Sequence, residues 1–240
     1  MKKKLIGLLL LLGGLVLAIA LATRAAPAEP QALALLEDPS ITRQPGGWLH
    51  IHPEKPLGIG FVFYPGGKVM AEAYLPILNL VAETGIDVFL TPMPLNLAVF
   101  NPSAARQVLD ANPAIQRWVV GGHSLGGVMA ADYALKDTRV GALVLWAAYP
   151  AEAGSLVNSN LSVLSVYASQ DGLSTPTDIA SSAALLPASA QFISIEGGNH
   201  AQFGAYGKQD GDGIATISPA DQATSVSLAT SEFILSIFTP

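Results

Sequence analysis

Seven residues, Gly121-Gly122-His123-Ser124-Leu125-Gly126-Gly127, constrain this chain more than any other stretch. A short apolar run, Arg117-Trp118-Val119-Val120, leads into them, and Val128 to Leu135 reads as a helix on the far side. A strand that turns abruptly into a helix needs small residues on both sides of the corner, because the two backbones pass close to each other there. Gly122 and Gly126, two before and two after Ser124, meet that need. The corner would put Ser124 at its apex on strained backbone, beside the unpaired N–H groups and the positive dipole end of the helix. A G-x-S-x-G pattern alone is weak, since turns use both residue types widely. Paired glycines on each side, in a strand-to-helix setting, make it far more specific.

Apolar strands alternate with helical stretches along most of the chain. Strands are expected over 57–63, 86–90, 117–120, 140–146, 161–167 and 191–195. Helices are expected from residue 69 or 70 to 84, and at 102–109, 128–135, 177–186 and 219–238. Continuous apolar strands separated by helices imply an α/β fold, a mostly parallel sheet with helices on both faces. Trp48-Leu49-His50-Ile51-His52 alternates in character and predicts a further strand with one buried face, on which His50 and His52 would lie together. A pair of metal ligands and two polar residues on an outer strand are the competing readings. With no third ligand apparent nearby in sequence, the second is preferred and no metal is expected.

The length of 240 residues suits one domain with a large core. Lys2, Lys3 and Lys4 precede an uninterrupted apolar run from Leu5 to Ala22. Such a run is longer than the usual core of a signal peptide and only just long enough to cross a bilayer. Residues 1–22 therefore read as a signal peptide cleaved near Ala20-Leu21-Ala22, or as an uncleaved transmembrane anchor with the lysines held in the cytoplasm. Either way the protein is expected to be exported, secreted or membrane-anchored. The Ala- and Pro-rich residues 23–40 read as a linker, which leaves 41–240 as the domain. The chain has no cysteine, which excludes a thiol nucleophile, a disulfide and a cysteine-based metal site. Its net charge of −6 includes the three N-terminal lysines, so the remainder is more acidic still and has no electrostatic footprint for nucleic acid.

A serine hydroxyl is a poor nucleophile unless a base takes its proton, and histidine suits that task. Of the four histidines, His50, His52, His123 and His200, only His200 follows Ser124 beyond its immediate neighbours. It lies in Gly197-Gly198-Asn199-His200, just past the strand at 191–195, at the end where open α/β sheets carry their functional loops. His123 adjoins the serine and is expected to pack or support the corner. The acid that orients the imidazole should follow another strand: Asp171, directly after 161–167, fits, with Glu152 as the alternative. An oxyanion would need preorganised N–H donors. Leu125 should supply one, and Pro65-Gly66-Gly67-Lys68 the second, with Gly67 preferred to Lys68.

Tyr64-Pro65-Gly66-Gly67-Lys68-Val69, Gly121 through Gly127, Asp171-Gly172 and Gly198-Asn199-His200, in this order, resemble the α/β-hydrolase family. The likeness is to its small, lidless branch of dienelactone-hydrolase-like and esterase-like members. The resemblance runs from about residue 58 to the C-terminus and implies a serine hydrolase with Ser124, Asp171 and His200 as its triad. Dienelactone hydrolases use cysteine as nucleophile, and this chain has none, so their substrate does not carry over. The resemblance implies cleavage of a carboxylic ester or related acyl bond of a small molecule, through an acyl-enzyme and with no cofactor. Acyl transfer with the same triad and a non-catalytic binding module on the same fold are the alternatives. The Gly-rich segment 203–213 also resembles these hydrolases. Asp210 and Asp212 within it superficially suggest a calcium loop but lack the downstream glutamate of an EF-hand, so a loop bordering the site is expected.

Overall fold

The computed structural model describes residues 24–238; the apolar run at 1–22, and with it the expected signal or anchor, lies outside them. Eight strands form one sheet: β1 (Ile41–Arg43), β2 (Leu49–Ile51), β3 (Ile59–Tyr64), β4 (Asp87–Leu90), β5 (Arg117–His123), β6 (Val140–Trp146), β7 (Ser162–Ala168) and β8 (Gln191–Ile195). Their spatial order is β1-β2-β4-β3-β5-β6-β7-β8. β2 runs antiparallel to both of its neighbours, β1 at the edge and β4, and every other pairing is parallel. The helices are α1 (Pro30–Ala34), α2 (Leu75–Ala82), α3 (Ala104–Ala111), α4 (Leu125–Ala134), α5 (Pro176–Ser182) and α6 (Pro219–Phe238). The mostly parallel sheet covered on both faces agrees with the sequence reading.

Strand alternation builds two cores from one sheet. Phe61 and Phe63 of β3, Val119 of β5, and Val144 and Trp146 of β6 face a cluster completed by α2 and α6. Val62 and Tyr64, Val120, and Leu143 and Leu145 face the opposite cluster, completed by α3 and α4. Trp146 also donates its indole N–H to Thr230 Oγ1 at 3.0 Å, which ties β6 to α6 across the first core.

Three local expectations change. The helix predicted from residue 69 or 70 begins as a 3₁₀ turn, Ala71–Tyr74, and becomes α-helical only at Leu75. Pro76, which lacks an N–H to donate, is accommodated only in the first turn of that helix. β2 is buried on both faces rather than one: Leu49 and Ile51 share a cluster with α2, and His50 on the other face is covered by Phe89 and Asp87. The stretch expected as a linker is docked. Ala28 and Ala32 are buried, Ala26 N–H donates to the Lys68 carbonyl at 2.8 Å, and Glu29 N–H donates to the Ala205 carbonyl at 2.8 Å.

Candidate active site

Strand β5 ends at His123, and α4 begins at Leu125, with Ser124 between them at φ 50° and ψ −125°. A non-glycine residue at that φ is strained, and the neighbouring strand holds it there: Ser124 N–H donates to the Trp146 carbonyl at 3.0 Å. The corner requires its glycines. A Cβ on Gly122 would stand 2.6 Å from the Tyr64 carbonyl oxygen, and one on Gly126 would strike the carbonyl oxygens of Tyr64 and Pro65. The hydroxyl of Ser124 makes no hydrogen bond with the other described residues.

Asp171 and His200 are brought together from separate loops, at the C-terminal ends of β7 and β8. His200 Nδ1 lies 2.8 Å from Asp171 Oδ2, and both side chains are buried. The other carboxylate oxygen, Oδ1, accepts N–H bonds from Leu173 at 2.8 Å and Ser174 at 2.7 Å. A carboxylate held by donors in this way takes the Nδ1–H of the imidazole, which leaves the lone pair on Nε2. The loop is closed by a capping box at the start of α5: the Thr175 hydroxyl accepts from Asp178 N–H, and the Asp178 carboxylate accepts from Thr175 N–H. Glu152, the alternative acid, lies exposed on a 3₁₀ turn after β6.

Ser124 is joined to this pair through its neighbour. The ring of His123 packs on that of His200 with centroids 4.4 Å apart, and stacks on Phe203 at 5.4 Å. His123 Nδ1 is 2.8 Å from the Tyr74 hydroxyl, which in turn accepts the N–H of Gly66 at 3.0 Å. With its lone pair engaged by Gly66, Tyr74 donates its proton to His123, so the imidazole is neutral with hydrogen on Nε2. Burial, and then the charge of nearby His200, holds the His123 pKa well below the ordinary histidine value; burial raises that of the Tyr74 phenol.

Gly66 N–H is thus consumed by Tyr74, whereas Gly67 N–H has no acceptor among the described residues. Leu125 N–H, in the first turn of α4, has no intrahelical acceptor. The two residues adjoin: a Cβ on Gly67 would stand 3.0 Å from Leu125 Cδ2. Lys68 N–H is bonded to the Asn96 carbonyl at 2.8 Å, which leaves Gly67 as the candidate second donor.

Two supporting residues carried no role in the sequence reading. Tyr74 had no signal beyond an apolar setting. Asp212 was visible only as part of a loop expected to border the site. Its Oδ1 accepts N–H bonds from Gly172 and His200, both at 3.2 Å, and from Gly213 at 2.8 Å; its Oδ2 accepts from Ala201 at 2.8 Å. One carboxylate therefore clasps the turn after Asp171 to the loop bearing His200. A cavity of about 770 Å³ opens on the other side of this loop, beside Ile77, Ala201 and Ile214. Neither Ser124 nor Leu125 lines it.

No curated protein matches the chain in sequence. Among solved structures it is similar to the esterase domain of a Rhodothermus marinus protein, with 15% identity, TM-score 0.59, and 80% of this chain and 95% of that one covered. Est1E from Butyrivibrio proteoclasticus matches with 13% identity, TM-score 0.59, and 81% and 96% covered. A thermophilic esterase from Thermogutta terrifontis matches with 13% identity, TM-score 0.58, and 83% and 98% covered. At these identities the likeness is one of fold. A family model described as "Alpha/beta hydrolase family" matches residues 60–224, from β3 into α6 and more than half of the sequence. The chain belongs to the alpha/beta hydrolase family.

Proposed function

We propose that this protein is a serine hydrolase that cleaves a carboxylic ester or related acyl bond of a small molecule through an acyl-enzyme. The observation that carries the reading is the buried Asp171–His200 pair, 2.8 Å between Oδ2 and Nδ1, whose imidazole packs on His123, the neighbour of a serine strained at a strand-to-helix corner. Ser124 Oγ attacks the carbonyl carbon while His200 Nε2 takes its proton, and Asp171 stabilises the imidazolium through Nδ1–H. The N–H groups of Leu125 and Gly67 receive the oxyanion. Collapse breaks the bond to the leaving group, to which His200 returns the proton. Water, deprotonated by the same imidazole, then releases the acid and regenerates the serine. The Ser124 hydroxyl has no hydrogen bond among the described residues, so in this reading its bond to Nε2 forms in the substrate complex.

Leu97 and Leu125 flank Gly67, and Leu95, Val99 and Phe100 are exposed on the segment after β4. These side chains favour an apolar group next to the oxyanion donors. The lysine cluster and apolar run at 1–22 support a further part of the proposal, that the domain works outside the cytoplasm, secreted or anchored. No helix among the described residues is long and apolar enough to cross a membrane. The test is a series of esters of increasing acyl length, assayed with the wild type and Ser124→Ala. The wild type should turn over and favour one range of acyl lengths, and the variant should lose at least about 1,000-fold in kcat/KM. Equal rates from the two proteins would refute the reading.

A further inference from the structure

At the other end of the sheet from the serine, two antiparallel strands bring together three side chains of metal-binding type. His50 and His52, two apart on and just beyond β2, share a face. β2 pairs with β4 in the register His50 opposite Phe89 and Ile51 opposite Val88, so the next step sets His52 against Asp87, the first residue of β4. One nitrogen from each histidine and one oxygen from Asp87 lie within 4.8 Å of one another. The sequence shows only the two histidines, because the third ligand is thirty-five positions further along and reaches them solely through strand pairing.

We propose that His50, His52 and Asp87 form a binding site for one divalent transition-metal ion, zinc(II) first, at the opposite end of the sheet from the catalytic corner. His50 Nε2 is 2.9 Å from Asp87 Oδ1, close to the spacing of about 3.3 Å between neighbouring ligands in a tetrahedral zinc site. An ion would take the place of the proton the two now share, with the His50 proton carried on Nδ1 instead. Both residues are largely buried, and His50 is stacked on Phe89 at 4.2 Å, so two ligands are held in position before metal arrives. His52 is exposed and supplies the adjustable arm. Its ring lies 3.6 Å from that of His50, centroid to centroid, and its Nε2 is 2.8 Å from the Thr42 hydroxyl. Metal binding exchanges the Thr42 contact for coordination and opens the angle between the rings. A fourth position is left to water. Imidazole nitrogens with one carboxylate suit zinc, cobalt, nickel and copper rather than calcium or magnesium. Asp87 opens β4, whereas His200 and Asp171 follow the C-terminal ends of their strands, so the site would pin β2 to β4 and take no part in ester cleavage.

The test is calorimetric titration of the untagged full chain, stripped with chelator, with zinc chloride, alongside the visible absorption of the cobalt(II) form. The wild type should bind one equivalent with a Tm increase and give the spectrum of a tetrahedral cobalt site. His52→Ala, an exposed change that spares the fold, should weaken zinc binding at least about tenfold and remove the Tm increase. Asp87→Asn should weaken binding in the same direction. Absence of saturable binding in the wild type, or binding in His52→Ala as tight as in the wild type, would overturn the proposal.

Discussion

Charging the imidazole of His123 is costly. It accepts from the Tyr74 hydroxyl, packs on His200 and Phe203, and is buried, so its pKa is held well below the ordinary value, chiefly by burial. The sign of the effect on stability follows. Above the unfolded-state value of about 6.5 neither state is protonated at this residue, and it imposes no pH dependence. Below about 6.5 the unfolded chain takes up the proton and the folded one does not, so stability falls by up to about 1.4 kcal/mol per pH unit. His123→Asn places a carbonyl oxygen where Nδ1 accepts and removes the titration. Urea unfolding between pH 5 and 8 should show a shallower acid loss in this variant than in the wild type; an unchanged slope would assign the acid sensitivity to other groups. At the same scale, Gly66 cannot be replaced. A Cβ there would stand 2.7 Å from both His123 Nδ1 and the Tyr74 hydroxyl, on the hydrogen bond that joins them.

Elements meet at two close contacts, one between backbones and one through a side chain. Where β3 passes the start of α4, an alanine at Gly126 would press its methyl into the carbonyls of Tyr64 and Pro65, which cannot move aside as a side chain tip could. Gly126→Ala should cost about 2 kcal/mol or more in urea unfolding, and a loss below 0.5 kcal/mol (about the scatter of a surface change) would show that the corner is looser than described. The second contact is the clasp of Asp212. Asp212→Ala leaves four N–H groups without their acceptor and frees the loops of Asp171 and His200 from each other. Bonds to a charged acceptor are each worth about 1.5–3 kcal/mol. The variant should lose about 3 kcal/mol of stability and more than tenfold in kcat, with KM little changed and partial recovery in Asp212→Asn. A stability loss with kcat intact would make Asp212 a structural brace alone. Short-range patterns announced the elements themselves. Paired glycines around Ser124 mark the corner, and apolar runs mark β3, β6 and β7. The clasp was not legible, because nothing near Asp212 in sequence tells that its carboxylate faces Gly172 and His200. Tyr74 is hidden for the same reason, and the helix after it starts only at Leu75, in line with the first-turn preference of Pro76.

Across the whole molecule, the parallel sheet carries the candidate groups on loops that leave the C-terminal ends of β5, β7 and β8, three strands on one side of β3. The order of motifs along the chain revealed this arrangement, since alternating strands and helices leave few topologies open. The place of residues 24–40 was not revealed: a composition of alanine and proline looks like a linker, yet Ala28 and Ala32 find apolar partners only in the folded body. The N-terminal lysines and apolar run lead to a prediction at this scale. In a bacterial host, protease added outside the cytoplasmic membrane should digest the domain or find it already released, and a domain fully protected inside the cytoplasm would contradict export. The central claim is the covalent step at Ser124. Its most direct measurement is labelling of the folded protein with a fluorophosphonate, followed by peptide mass mapping. The account predicts one adduct per chain, on the peptide holding Ser124, lost in Ser124→Ala and slowed in His200→Ala; a folded protein that takes no label, or takes it on another serine, would contradict it.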